Sequence, residues 1–570
     1  MIMKPLKNFY FILDHTCRFL SLTIMQRIVE CVPNFSEGRN KAIIDAIADA
    51  IRSVPDVQLL DIDPGEATNR TVMTFVGTPD AVLEAAFQAI KKAAELIDMS
   101  KHKGAHPRMG ATDVCPFVPV SGVTMDDCIE LAHKLGKRVG EELKIPVYLY
   151  AEAATKPERR DLSKVREGEY EGLPDKLKDP NWQPDYGPAE FNPKTGATII
   201  GAREFLIAYN INLNTRDRKL AHKVAKIIRE TGYNVKRPDG TKEHVPGKLK
   251  AVRAIGWYIE EYGCAQISIN LLNYKVTPLH VVFETAKEEA EKLGLRVTGS
   301  EIVGLVPKDA LLMTGRYYLQ KQGKSTAVPE PEIIHTAILS LGLNDVTQFI
   351  PEEKIIEYKI AKPLRFGSMS MEQFLNTLSL DTPTPGGGSV AAISGALGAS
   401  LIAMVGNLTF GKKDYEAVWQ AAEKLANTAQ QLKMEFLTSA DRDADAFDAV
   451  MKAMRLARKG EPEALQQAVM QAIDVPLSVM KNGIRLLEIA CEMAKIGNRN
   501  ALSDVAVATE MAMTAVKAGK ENVEINLPMV DDHDTKDKIK HEADKLLQEA
   551  NKLYSKTVEE ITKRKHENEG

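Results

Sequence analysis

At 570 residues the chain is too long for one hydrophobic core, and about two to four domains are expected. Apolar residues make up 44% and charged residues 27%, as in ordinary soluble globular proteins, and a net charge of -4 gives no reason to expect a nucleic-acid partner. The six cysteines (Cys17, Cys31, Cys115, Cys128, Cys264, Cys491) form no C-x-x-C pair, which argues against a zinc ribbon or disulfide scaffold and fits a reducing cytoplasm.

Residues 1–24 hold two short apolar patches interrupted by Asp14, His15 and Arg18, with no clean signal-peptide core or cleavage site. Met25 reads as a natural start, so 1–24 is expected to be a non-native or disordered lead. A first α/β subdomain is expected over 25–205. Its strands fall at 28–32, 57–62, 71–76, 115–120 and 147–150. Its helices fall at 40–53, 81–99 and 124–142, where apolar residues recur at steps of three and four.

Between the second helix and the fourth strand lies KHKGAHPRMGATD. Gly104, Pro107 and Gly110 break any helix there, and His102, His106, Arg108 and Asp113 crowd one loop. Loops dense in ionisable groups and held between regular elements are where catalytic residues concentrate. Residues 151–196 carry charge, Pro and Gly with no sustained period, and so long an irregular segment is usually functional. Tyr170, Trp182, Tyr186 and Phe191 within it offer either a stacking surface for a flat ring or anchors for a surface loop.

A second α/β subdomain is expected over 206–358, with strands at 205–213, 252–258, 264–272 and 297–306, followed by a linker at 359–369. Strand signals then fade, and 370–570 reads as an all-α bundle. Ser389, after Gly386, Gly387 and Gly388, is placed as an N-cap, and such a helix start suits a carboxylate or phosphate. The apolar run 390–406 is short for a membrane span and reads as a buried bundle helix. In the next helix Leu432, Phe436, Ala440, Asp443, Phe447, Val450 and Met454 share one face. A carboxylate in an apolar stripe loses hydration and titrates nearer neutrality. Asp443 is therefore a candidate general acid/base, the alternative being a buried Asp paired with an Arg or a backbone amide.

Several stretches carry a family resemblance. VECVPNFSEGRN, LLDIDPGEATNRTVMTFVG, DMSKHKGAHPRMGATDVCPFVPVSGVTMDDC and GPAEFNPKTGATIIGAREFLIAYNINL resemble the formiminotransferase half of the glutamate formimidoyltransferase/formimidoyltetrahydrofolate cyclodeaminase family. TPGGGSVAAISGALGASLIAMVGNLTFG and DRDADAFDAV resemble its cyclodeaminase half, as well as the related methenyltetrahydrofolate cyclohydrolases. The resemblance covers roughly residues 25–545. It implies two α/β sandwich subdomains followed by a helical-bundle domain.

The function it implies is formimino transfer from N-formimino-L-glutamate to tetrahydrofolate, then cyclisation to 5,10-methenyltetrahydrofolate with loss of ammonia. That would be the last stage of histidine degradation to glutamate, carried out by a cytoplasmic homo-oligomer. Tetrahydrofolate, carrying a polyglutamate tail, would be the acceptor substrate, with no metal, nucleic acid or membrane involved.

The resemblance also implies site residues. The catalytic pair would be His106 and Asp443, with Asp63, His102, Arg108 and Asp113 as assistants. Folate contacts fall on Gly187, Pro188, Ala189, Glu190, Phe191, Asn192, Pro193, Lys194, Thr195 and Gly196. In the helical domain they fall on Ala396, Leu397, Gly398, Ala399, Ser400, Leu401, Ile402, Ala403 and Met404. The rival readings are a formyltransferase fused to a cyclohydrolase, and a non-catalytic folate-binding or scaffold protein.

Overall fold

The computed structural model describes residues 27–66, 68–104, 106–361, 363–458 and 463–566. The lead expected at 1–24 lies outside the described residues. The first subdomain is built on strands β1 (Ile28–Cys31), β2 (Asn34–Phe35), β3 (Val57–Gly65), β4 (Arg70–Gly77), β5 (Thr112–Ser121), β6 (Val147–Ala151) and β7 (Thr198–Ala202). Strands β1 and β2 both lie between β4 and β5, β3 flanks β4, and β7 inserts between β5 and β6.

Helices α1 (Lys41–Arg52), α2 (Pro79–Leu96) and α3 (Met125–Glu142) cover one face. Their apolar stripes explain this: Ile44, Ile47 and Ile51 of α1 and Leu131, Leu135 and Val139 of α3 are buried against Phe35, Phe75 and Phe117. Local chemistry sets the starts. Asn40 accepts the amides of Ala42 and Ile43, and Thr124 with Asp127 forms a reciprocal capping box.

Strand β7 was not expected. Its five residues are buried on both faces, so the run lacks the alternation that marks a half-exposed strand. It pairs in parallel with both neighbours, Val114 opposite Ile199 and Val147 opposite Thr198. Strands β3 and β5 also run further than expected, so Asp63 and Asp113 sit within strands.

The second subdomain holds β8 (Ile207–Leu213), α4 (Arg218–Ile228), β9 (Tyr233–Lys236), β10 (Lys242–Val245), β11 (Val252–Ile259), β12 (Cys264–Leu271), α5 (Leu279–Glu291) and β13 (Val297–Val303). Helices α6 (Lys308–Lys321) and α7 (Glu330–Leu341) complete it. Its sheet order β11-β12-β8-β13 repeats the order β3-β4-β1-β5, so each subdomain is built on the same strand–helix–strand–strand–helix–strand unit. The short hairpin β9–β10 is mostly exposed, its one face carrying only Tyr233, Val235 and Val245 as apolar residues, too few to mark two strands in the hydrophobic pattern.

The loop from α6 to α7 is an interdomain plug. Ser325, Thr326 and Ala327 are buried, and Glu423 accepts both the amide and the hydroxyl of Thr326 at 2.7 and 2.8 Å. Asn407 and Gln430 donate to the carbonyl of Ala327. The polar Lys/Gln/Gly/Pro run at 320–332 is therefore a docking element. The linker expected at 359–369 also carries structure, since it begins inside the short helix Ile356–Ile360 and Phe366 is buried.

The helical domain comprises α8 (Met371–Leu378), α9 (Gly387–Thr409), α10 (Trp419–Ala457), α11 (Glu463–Ile496), α12 (Leu502–Asn526) and α13 (His533–His566). By length and composition α9 is long and apolar enough to cross a membrane, yet most of it is buried in the bundle core. Small residues permit this: a side chain at Gly395 would overlap the ring of Phe436 on α10.

Two expectations need correction here. Ser389 is not the N-cap of α9, because the helix starts at Gly387 and Gly386 caps it without a side-chain bond. At Gly388 a Cβ would overlap the Asp443 carboxylate, and its absence lets the helix run back past Ser389. The stripe on α10 is also incomplete, since Phe447 is exposed.

Candidate active sites

The first site is assembled where β4 begins, where α2 ends and where β5 starts. Asn69, in a left-handed conformation, organises it. Its side chain accepts from Gly38 N at 3.0 Å and donates to the Lys103 carbonyl at 3.1 Å, while its own carbonyl faces His102 Nε2 at 2.9 Å. Gly104 and Gly110 let the loop press on its neighbours, because a Cβ at either would overlap a backbone carbonyl, of Thr68 and Ala197 respectively.

The turn 187–196 is laced onto this loop. Ala111 N donates to Thr195 O at 2.8 Å, Ala197 N to Met109 O at 3.0 Å, and Met99 N to Lys194 O at 2.9 Å. Asn192 Oδ1 accepts the amides of Lys194 and Thr195, which holds the turn's shape. Two segments about 90 residues apart thus form one wall.

His106 is half-buried in a small pocket with Ser36, Thr68, Asn69, Arg70, His102, Arg108 and Asp113. Its Nε2 lies 2.7 Å from Arg70 Nη1, and its Nδ1 is buried with no hydrogen-bond partner. A guanidinium only donates, so Nε2 is the acceptor and the neutral ring carries its proton on Nδ1. Burial, then the positive charges of Arg70 and Arg166, hold the imidazole below its usual titration range, against the opposing pull of Asp113.

The expected assistants have structural partners. His102 uses both ring nitrogens, one toward Asn69 O and the other accepting from Arg108 Nε at 3.2 Å. Arg108 is buried and meets Glu171 through both terminal nitrogens, at 2.8 and 2.7 Å, with Glu169 at 3.1 Å. In this arrangement its charge is already matched. Asp113 is fully buried, accepts Met109 N at 3.0 Å and pairs with Arg166, so it braces the loop. Asp63 is exposed on β3 and acts on Arg70 only through its field.

Beside the pocket opens a hollow of about 750 Å³, lined by Met99, Ser100, His102, Lys103, Gly104, Arg108 and the turn Gly168–Glu171. Of the four aromatics, Tyr170 borders this hollow and packs on Phe191, with ring centroids 5.5 Å apart. Trp182 and Tyr186 instead anchor the segment, Trp182 against Tyr148 and the buried Arg159–Asp185 pair, Tyr186 against His133. Arg70, Arg166, Glu169 and Glu171 were not singled out from the sequence. Arg70 stands inside a recognised motif, NRT, and the other three in the irregular segment.

The second site is built entirely by helices. Asp443 on α10 reaches the first turn of α9, where it accepts the Ser389 hydroxyl at 3.1 Å and the Ser389 backbone N–H. The carboxylate supplies from another helix the cap that Gly386 cannot. Burial pushes its titration up, and the bonds from Ser389 oppose that only in part. A Cβ at Gly388 would overlap this carboxylate, and Asn522 on α12 borders Gly387. Neighbouring Asp441 holds the backbone amides of Arg365 and Phe366. Of 396–404, Leu397, Ser400 and Met404 are open to solvent, while Ala396, Gly398, Ala399, Ile402 and Ala403 are buried. Among the described residues, no three His, Cys, Asp or Glu side chains gather as a metal site.

Known proteins resemble the chain along its length. The family described as "Formiminotransferase domain, N-terminal subdomain" matches residues 28–203, "Formiminotransferase domain" matches 208–361, and "Formiminotransferase-cyclodeaminase" matches 370–545. The formimidoyltransferase-cyclodeaminase of Dictyostelium discoideum is 43% identical over 547 residues, 95% of this chain and 100% of that protein. The glutamate formimidoyltransferase of Streptococcus pyogenes is 47% identical over 296 residues, 52% of this chain and 94% of that protein. The methenyltetrahydrofolate cyclohydrolase of Methylorubrum extorquens is 35% identical over 201 residues, 34% of this chain and 97% of that protein. With both halves matched in one order and at full length, the chain belongs to the formimidoyltransferase-cyclodeaminase family.

Proposed function

We infer that the chain is a bifunctional folate enzyme that transfers the formimino group of N-formimino-L-glutamate to tetrahydrofolate and then closes the product to 5,10-methenyltetrahydrofolate with release of ammonia. The observation that carries this reading is the presence in one chain of two separate proton-handling groups, His106 and Asp443, each withdrawn from water in the half that matches one of the two activities.

In the transfer, the folate N5 attacks the formimino carbon and loses its proton, while the glutamate nitrogen gains one and leaves. A neutral imidazole serves both needs, accepting the first proton and returning it to the leaving amine. His106 takes that role, and Asp113 with Arg166 braces its loop. In the cyclisation, the folate N10 attacks the carbon of the protonated formimino group and loses its proton, and the terminal NH2 gains one and departs as ammonia, leaving the methenyl cation. Asp443 moves that proton, its carboxyl held near Ser389. Both transfers are assigned to side chains, so the reading calls for no metal.

By the same inference the enzyme acts in histidine degradation to glutamate, in the cytoplasm, as a homo-oligomer, on folate that carries a polyglutamate tail. The purified protein, given N-formimino-L-glutamate and tetrahydrofolate, should produce methenyl-folate absorbance and ammonia in equal amounts. Formimino-folate that accumulates without ammonia, with hydrolysis of added methenyl-folate to formyl-folate, would favour the hydrolase reading of the helical half, which its likeness to the bacterial cyclohydrolase supports. Neither product from a folded protein would leave a folate-binding role.

A further inference from the structure

We propose that Arg70 is the receptor for the α-carboxylate of N-formimino-L-glutamate, and that in the free protein its guanidinium occupies the proton-accepting nitrogen of His106 until that carboxylate draws it away. This rests on the transferase reading above and names the group that recognises the donor substrate.

The first observation is a charge imbalance. Three guanidiniums approach the His106 pocket. Arg108 is matched by Glu169 and Glu171, and Arg166 by Asp113. Among the described residues Arg70 forms no ion pair, although it is half-buried. Its side-chain hydrogen bond goes to an imidazole, and Asp113 and Asp63 reach it only through their fields. A partly desolvated guanidinium facing a pocket, with no carboxylate of its own, is a site for an anion.

The second observation is geometric. In an α-amino acid the carboxylate carbon is separated from the nitrogen by one atom, so the two lie about 2.5 Å apart. Whatever holds that carboxylate must sit directly beside the group that protonates the nitrogen. Arg70 Nη1 is 2.7 Å from His106 Nε2. The pterin ring carries no charge at neutral pH and gives a guanidinium nothing comparable to bind.

The third observation is the orphaned ring. With Nε2 capped by Arg70 and the proton on a partnerless Nδ1, His106 has no free lone pair for a base to use. Movement of Arg70 onto a carboxylate would free Nε2 and cancel the nearest positive charge. The charged groups facing the imidazole are Arg70 from β4, Arg166 and Asp113 from the segments against it, and His102 and Arg108 from its own loop. Of these, only Arg70 changes partner in the proposal. Donor binding and base activation become one event.

The wild-type enzyme tests this without any substitution. The acid limb of kcat/KM for N-formimino-L-glutamate reports the free enzyme and that of kcat the complex. Removal of the Arg70 charge raises the imidazole's affinity for protons, so the limb of kcat should lie at higher pH. Coincident limbs, or the opposite order, would overturn the proposal. Arg70→Gln should raise KM for N-formimino-L-glutamate roughly 10- to 100-fold, the loss of a charged hydrogen bond, and leave KM for tetrahydrofolate unchanged. Arg70→Lys should recover part of it. An equal rise in both KM values, or no rise, would refute the assignment. An unchanged first thermal transition serves as the folding control, because ammonia release from 5-formimino-tetrahydrofolate reports only the helical domain. A wild-type enzyme that transfers nothing would sink the function itself, separately from the role of Arg70.

Discussion

The two candidate sites handle protons with opposite starting materials. In the first, loops from three places hold an imidazole. In the second, two helices hold a carboxyl. Burial is the leading electrostatic cause in both, and in both it favours the uncharged form. The consequences differ because the charge types differ. For the imidazole this keeps the base form free to lower pH, whereas for the carboxylate it strengthens the base, which takes up a proton more readily than an ordinary aspartate. The same physical cause therefore widens the working range of one base and raises the proton affinity of the other.

The strongest way to break this comparison is to remove each group in turn. His106→Ala should cut formimino transfer by about 10²–10⁴-fold and leave cyclisation of 5-formimino-tetrahydrofolate intact, and Asp443→Ala should do the reverse. If one substitution stopped both reactions in a folded protein, the sites would not be independent. Gly388→Ala should imitate Asp443→Ala, because its methyl group would take the carboxylate's place. Wild-type ammonia release from that variant would show that Asp443 can work from another position.

The braces should be weaker targets. Asp113→Ala leaves Arg166 without its buried partner and should destabilise the first subdomain by about 3–5 kcal/mol. Thermal unfolding would show a lowered first transition, with the helical domain's unchanged. Smaller again is the pH effect. The imidazole of His106 is held below its usual range, so its base form persists to lower pH, and the acid limb of kcat/KM for transfer should fall below about 6.5. Asp443 titrates above its usual range, so its carboxylate form is lost at higher pH than for an ordinary aspartate, and the acid limb of cyclisation should fall above about 3.9. The same sign makes the charged form a cost to folding at neutral pH, so Asp443→Asn should raise Tm there while abolishing cyclisation.

The two sites also differed in how readable they were. Asp443 was legible from helical periodicity alone, because α10 keeps one regular phase from Leu432 to Met454 and an acid in that stripe stands out. Its partner was misread. Ser389 looks like a cap in sequence, but the helix starts three residues earlier, and the capping group comes from Asp443 instead. At the first site the histidines and glycines marked the loop, yet the residue nearest His106 did not stand out. Arg70 looks like any charged residue at a strand start until β4 is placed against the loop. Arg108 was marked only as an assistant, and Glu169 and Glu171, some sixty residues on, show where its charge is matched in the free protein.

By itself the sequence determined the division into α/β and helical parts, most strands and helices, and the two groups on which the chemistry turns. These rest on periodicity, turn residues and recognisable motifs, which are local. Only the tertiary structure decided the insertion of β7, the plug of Thr326 into the helical domain, and the pairing of each charged group with its neighbour. Those depend on which distant segments meet, and an ionisable side chain takes its pKa and its availability from whatever it meets.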